Sequence, residues 1–153
     1  MSKSQQDSPV WFITGCSTGF GRELAKLVLT RGFRAVVTAR DVNKIQDIIA
    51  GRKDRAIGLG LDVTEPSQVV LSVKKAEETF GSIDVLVNNA GYGYLGAIEE
   101  SEENEARAMF EVNFWGLAKM INAVLPGMRK RKQGCIVNFS SIGGLVGFPG
   151  VGY

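Results

Sequence analysis

Val10-Trp11-Phe12-Ile13-Thr14-Gly15-Cys16-Ser17-Thr18-Gly19-Phe20-Gly21-Arg22 is the stretch on which the fold turns. Its first five residues are β-branched, aromatic or aliphatic, as in a strand covered on both faces. A glycine-rich turn follows, Gly15 to Gly21. Helical periodicity then runs from Glu23 to Arg31 through Leu24, Leu27 and Val28, with Gly32 placed to end the helix. A strand that passes through such a turn into a helix gathers free N–H groups and the positive end of a helix dipole at one point. That arrangement suits the phosphates of a dinucleotide. A turn packed for its own sake is the competing reading. An ATP loop is excluded because no Gly-Lys-Ser/Thr follows, and the Gly-x-x-x-Gly-x-Gly spacing differs from the commonest dinucleotide fingerprint.

Working outward, strand and helix patterns alternate. Ala35–Ala39 reads as a second strand, Val42–Ala50 as a short helix, and Ile57–Val63 as a third strand weakened by Gly58 and Gly60. Ser67–Phe80 carries Val69, Val73, Ala76 and Phe80 on one helical stripe, between Pro66 and Gly81. Ile83–Val87 and Cys135–Phe139 are apolar runs of strand length. Between them one long helix is expected from about Glu102 to Arg129, its stripe running Ala106, Phe110, Asn113, Leu117, Met120 or Ile121, and Val124. Short two-faced apolar strands separated by helices make a parallel sheet with helices on both sides. The fold expected is α/β, a Rossmann-type doubly wound parallel sheet in the order 3-2-1-4-5. Residues 1–8 read as a flexible N-terminal tail and 9–153 as one dinucleotide-binding domain.

Bulk properties narrow the chemistry. The chain has 153 residues, 44% hydrophobic and 22% charged, which fits one globular domain rather than disorder. Its 18 Lys and Arg against 16 Asp and Glu leave a net charge of +2, so no nucleic-acid partner is expected. The basic run Arg129–Lys132 reads as cations at a helix C-terminus. No histidine is present, which excludes a His general base, a His-containing triad and His-ligated metal. Cys16 and Cys135 lack metal spacing, so no metal site and no disulfide are expected. No apolar run approaches the ~18 residues of a membrane span. A cytoplasmic location is expected.

Four motifs then occur in a fixed order, each at the end of an expected strand: Thr14-Gly15…Gly19-x-Gly21, Asp62-Val63, Asn88-Asn89-Ala90-Gly91 and Asn138-Phe139-Ser140-Ser141. On these the chain resembles the short-chain dehydrogenases/reductases, from Val10 to its last residue. The resemblance implies that Gly15, Ser17, Thr18, Gly19, Phe20 and Gly21 cradle the pyrophosphate of a nicotinamide dinucleotide. It implies that Asp62 accepts from the adenine amino group with the Val63 main chain beside it, and that Asn89, Ala90 and Gly91 close over the ribose. Turn formation would account for Asn88-Asn89, and a helix-start acid for Asp62, without a ligand. An NAD-preferring site wants a carboxylate at the end of the second strand. Here Ala39 stands there, followed by Arg40, whose guanidinium suits a 2′-phosphate. NADP(H) is therefore expected over NAD(H), with Asp41 near enough to keep NAD(H) possible.

Asn113 interrupts the apolar stripe of the long helix, where an unpaired amide is costly. The resemblance implies that this Asn bends the helix and holds a water of the proton relay. It also implies a Ser–Tyr–Lys constellation, of which only the Ser is plainly present. In that family about thirteen residues separate catalytic Ser from Tyr. Ser141 to Tyr153 spans twelve. Either Ser141 pairs with a Tyr beyond the last residue, or Ser140 pairs with Tyr153; the Ser141-Ile142-Gly143-Gly144 pattern favours the first. The chain is thus expected to be incomplete, lacking C-terminal strands and helices and inactive as it stands. The expected activity of the complete enzyme is hydride transfer between NADP(H) and an apolar alcohol or carbonyl. Tyr92, Tyr94, Leu95, Leu145, Val146 and Phe148 would line one side of the substrate pocket. A homodimer or homotetramer is expected. A non-catalytic nucleotide-binding sensor or scaffold is the alternative.

Overall fold

A computed structural model describes residues 8–153. The expected tail therefore lies outside the described residues except for Ser8, whose carbonyl accepts from Arg34 Nε at 2.9 Å. Five parallel strands form one sheet in the order β3-β2-β1-β4-β5. These are β1 (Val10–Ile13), β2 (Arg34–Ala39), β3 (Ala56–Gly60), β4 (Val85–Asn88) and β5 (Cys135–Asn138). Helix α1 (Gly19–Thr30) links β1 to β2, a 3-10 turn (Val42–Ile45) with α2 (Gln46–Ile49) links β2 to β3, and α3 (Pro66–Phe80) links β3 to β4. The β4–β5 crossover is one helical path of α4 (Glu103–Phe110), a π-helical segment (Glu111–Gly116) and α5 (Leu117–Arg131).

Alternation along each strand divides the core in two. Phe12, Val36 and Leu86 face α3 and α5, packing with Val69, Val73, Met120, Val124 and Met128. Ile13, Ala35, Val37 and Val87 face the other way, onto Ala25, Val28 and Leu29 of α1 and onto Ile45 and Ile48. At the end of α3, Gly81 takes φ +83° and its N–H reaches the Glu77 carbonyl. Cations occupy the last turn of α5, as the basic run implied, and Arg131 Nη2 donates to the Ile83 carbonyl at 2.8 Å.

Several sequence expectations shift. Helix α1 begins at Gly19 rather than Glu23, and its buried stripe is Gly21, Ala25, Val28 and Leu29, so Leu27 points outward. The third strand stops at Gly60, leaving Asp62 and Val63 in the turn beyond it. The long helix is not uniform. Its π-helical turn admits an extra residue and rotates everything after it, so the buried stripe runs Ala106, Met109, Gly116, Met120, Val124 and Met128. Phe110 is 47% exposed and Asn113 is exposed as well, although an unbroken period of 3.6 would bury both. Strand β5 reads as a buried strand but lies at the sheet edge, mostly exposed, with Val137 36% accessible. No helix among the described residues is long and apolar enough to cross a membrane.

Candidate functional site

Every motif residue gathers at the carboxyl ends of the strands. β1 and β4 lie side by side there, so the glycine-rich turn meets the Asn88–Gly91 segment. The joint is a clasp centred on Thr14, which is 1% exposed. Its hydroxyl donates to the Val87 carbonyl at 3.2 Å and accepts from the N–H groups of Asn89 and Ala90, each at 3.0 Å. In return the Asn89 carboxamide donates to the carbonyls of Thr14 (2.9 Å) and Gly15 (3.0 Å). Asn89 therefore holds the loop through its side chain. In the sequence Thr14 stands out only as part of the motif. Its place in the clasp depends on β1 pairing with β4, which lie far apart in the chain.

The glycines are there because side chains would not fit. A Cβ on Gly21 would stand 2.3 Å from Asn89 Nδ2 and 2.6 Å from the Gly15 carbonyl oxygen. A Cβ on Gly15 would meet Ala90 Cα at 2.8 Å, and Gly15 also adopts φ +71°. Helix α1 starts within this cradle, at Gly19, with no side-chain cap and no acidic residue in its first turn. Its first N–H groups and positive dipole end are thus left for an anion. Ser17 is half-buried, while Thr18, Gly19 and Phe20 are exposed; Phe20 lies 6.1 Å from the Phe139 ring, centroid to centroid. The cradle fits a dinucleotide pyrophosphate.

Beyond the end of β3, Asp62 Oδ1 accepts from Thr64 N (2.9 Å) and Thr64 Oγ1 (2.7 Å), while Gln68 Oε1 accepts from Asp62 N at 2.8 Å. Val63 is buried and packs so close to the π-helical turn that a Cβ on Gly116 would stand 2.6 Å from its Cγ2. Arg40 is exposed and, among the described residues, its side chain has no hydrogen bond or ion pair. Asp41 Oδ1 is occupied, accepting from Asn43 N at 3.0 Å.

At the other end, Gly91 abuts Asn113, whose Oδ1 would lie 2.9 Å from a Cβ placed there. The Asn113 amide is satisfied by the Tyr92 main chain. Beside it, Asn88 Nδ2 donates to Asn138 Oδ1 at 2.9 Å and ties the ends of β4 and β5 together. Ser140 and Ser141 follow β5, both exposed, and Ser141 Oγ accepts from Gly143 N at 3.2 Å. Tyr92, Leu95, Leu145, Val146 and Phe148 are all exposed on the loops expected to line the pocket, whereas the Tyr94 hydroxyl is engaged by Glu102 N at 2.8 Å. Tyr153 lies elsewhere, in a groove of about 770 Å³ along α4 shared with Arg107, Phe110 and Trp115. That groove contains none of the motif residues, so its size does not make it the nucleotide site.

Comparison with known proteins agrees with this geometry. A family model described as short chain dehydrogenase matches residues 9–153. The oxidoreductase BOA17 of Botryotinia fuckeliana is 39% identical over 143 residues, 93% of this chain and 52% of the relative. A short-chain dehydrogenase from Streptomyces avermitilis superposes with TM-score 0.90 at 40% identity, over 97% of this chain and 54% of that one. The structure of ElxO with NADP bound gives TM-score 0.87 at 32% identity, over 94% of this chain and 60% of the other. The chain spans about half the length of the curated relatives it matches.

Proposed function

The chain belongs to the short-chain dehydrogenase/reductase family, and from that premise we propose that it is the nucleotide-binding part of an NADP(H)-dependent oxidoreductase acting on an apolar alcohol or carbonyl. The observation that carries the reading is the clasped glycine cradle. Thr14 and Asn89 hold a turn that admits no side chain at Gly15, or at Gly21 in the first turn of the helix it leads into, whose start carries no side-chain cap.

Gly15 to Gly21 would hold the pyrophosphate, Asp62 and Val63 the adenine, and Asn89, Ala90 and Gly91 the ribose. The choice of NADP(H) over NAD(H) is supported by charge: Arg40 is exposed and unpaired among the described residues, while one oxygen of Asp41 is engaged by Asn43 N in the following turn. When bound, the nicotinamide supplies a hydride donor or acceptor. Ser141 Oγ accepts from Gly143 N and keeps its own proton, which it can donate to a substrate carbonyl oxygen. Asn113 fixes the main chain at Tyr92, where the substrate-side loop begins. The exposed apolar side chains of that loop and of the Leu145–Phe148 segment support an apolar substrate. A cytoplasmic homo-oligomer is part of the same proposal.

The test is oxidation of NADPH and of NADH by the full-length protein with a panel of apolar ketones. Turnover favouring NADPH is expected. Tight NADPH binding without turnover would make the protein a nucleotide-binding module instead.

A further inference from the structure

One charged contact beside the cradle has no part in the site as described. Arg22, the residue after Gly21, reaches the segment that follows β2 with its guanidinium. Nη1 donates to the Lys44 carbonyl at 2.9 Å, and Nη2 pairs with Asp47 Oδ2. Both acceptors belong to the segment that follows β2: Lys44 lies in the 3-10 turn and Asp47 in α2. Arg40 and Asp41 lead directly into that turn. Asp41 closes its near end, with Oδ1 accepting from Asn43 N and the carbonyl accepting from Lys44 N at 3.2 Å. Buried Ile45 and Ile48 hold its apolar side. The Arg22 fork closes the far end, and it comes from the same helix whose N-terminus borders the phosphate cradle.

We propose that Arg22 and Asp47 are positioning residues for the cofactor's 2′-phosphate, fixing the turn that carries Arg40 against the glycine-rich loop without touching the ligand. The inference rests on the reading of Arg40 as the phosphate-binding residue. A planar guanidinium bonded to two acceptors fixes orientation as well as distance, which a single flexible contact does not. Asp47 also neutralises Arg22, so Arg40 and Lys44 are the cations without an ion pair around this turn among the described residues. Arg40 has a long side chain, so ordering it on phosphate is easier when its backbone is already held. The Asp47 carboxylate is 61% exposed and the Arg22 side chain 23%, so the solvated carboxylate end contributes little to global stability. Its effect therefore falls on selectivity rather than on folding.

The experiment is calorimetric titration of the full-length protein with adenosine 2′,5′-bisphosphate and with 5′-AMP, which differ in the 2′-phosphate alone. In Asp47→Asn and in Arg22→Gln, bisphosphate binding should weaken by about fivefold to tenfold, and AMP binding by less than about twofold. The thermal midpoint of Asp47→Asn should stay unchanged. Arg22→Lys, which keeps the ion pair and loses the fork, should retain part of the selectivity. Equal weakening of both nucleotides would overturn the proposal by reducing the pair to a structural brace. Tighter bisphosphate binding in Asp47→Asn would overturn it differently, by showing that the freed Arg22 ligates phosphate itself. Arg40→Ala separates the two levels. If it collapses the bisphosphate-to-AMP ratio while Asp47→Asn does not, the positioning pair alone is wrong. If it leaves the ratio unchanged, the Arg40 reading fails and the proposal falls with it.

Discussion

The carboxamide of Asn113 pairs with the main chain of Tyr92 as a neighbouring peptide would: Oδ1 accepts from Tyr92 N at 3.0 Å, and Nδ2 donates to the Tyr92 carbonyl at 2.8 Å. The π-helical turn thereby grips the first residues after Gly91. Asn113→Ala removes both bonds and should destabilise the full-length protein by about 1 kcal/mol, since the pair is exposed to water. The sharper readout is amide exchange. Protection at Tyr92 should fall while β4 stays protected, and kcat/KM should drop with it. Unchanged exchange at Tyr92 would show that the loop is held by something else.

Thr14→Val keeps the shape of the side chain and deletes its hydroxyl. The N–H groups of Asn89 and Ala90 then lose their shared partner, while the Val87 carbonyl keeps the Thr14 N–H at 3.0 Å. Unpaired buried groups cost about 1–3 kcal/mol each, so a loss of roughly 2–3 kcal/mol is expected in urea unfolding. Nucleotide affinity should weaken as the cradle loosens. Thr14→Ser restores the hydroxyl and should recover most of both losses; failure to do so would point to packing rather than the clasp.

Cys16 lies in the glycine-rich loop yet faces inward, 0% exposed, with its thiol donating to the Ile13 carbonyl at 3.3 Å. Burial pushes its pKa from 9.0 up to about 12, opposed in part by a hydrogen bond from the Thr38 main chain. Below pH 9 the thiol is protonated in both the folded and unfolded states. Between 9 and about 12 the unfolded chain gives up a proton that the folded one keeps, so stability falls as pH rises through that window. Urea midpoints at about pH 8 and about pH 10.5 should separate more in the native protein than in Cys16→Ala. Equal separations would mean that the thiol is not held protonated. Iodoacetamide should leave Cys16 unmodified at the lower pH.

Ser141 caps the 3-10 turn Ile142–Gly144 while its proton remains available, whereas Ser140 makes no side-chain hydrogen bond among the described residues. Ser141→Ala should lower kcat/KM of the full-length enzyme by about 100-fold or more, and Ser140→Ala far less. The reverse order would shift the register by one residue and make Tyr153 the acid.

The sequence was most informative where structure is local. A β-branched run reads as a strand whatever lies beside it, Gly32 and Gly81 mark helix ends through backbone conformation alone, and Thr14–Gly21 announces an anion-binding turn by its composition. The 3-2-1-4-5 order followed because the handedness of strand crossovers leaves few alternatives, and the sheet adopts it. The residues that gather at the strand ends were named from their motifs.

What the sequence left open depends on residues that meet across the sheet. Whether Asn113 is buried or exposed was decided by the π-helical turn, where Gly116 settles against Val63 and adds a residue that no periodicity within the helix announces. The Thr14–Asn89 clasp exists because β4 lies beside β1, although 75 positions separate the two residues. That Asp41 bonds to Asn43, and Arg22 to Lys44 and Asp47, is equally a matter of which elements pack together. Backbone preference is a property of a few consecutive residues. Which polar groups satisfy one another is settled only when non-adjacent elements pack, because the partner that spares a donor from burial is chosen by space and not by spacing.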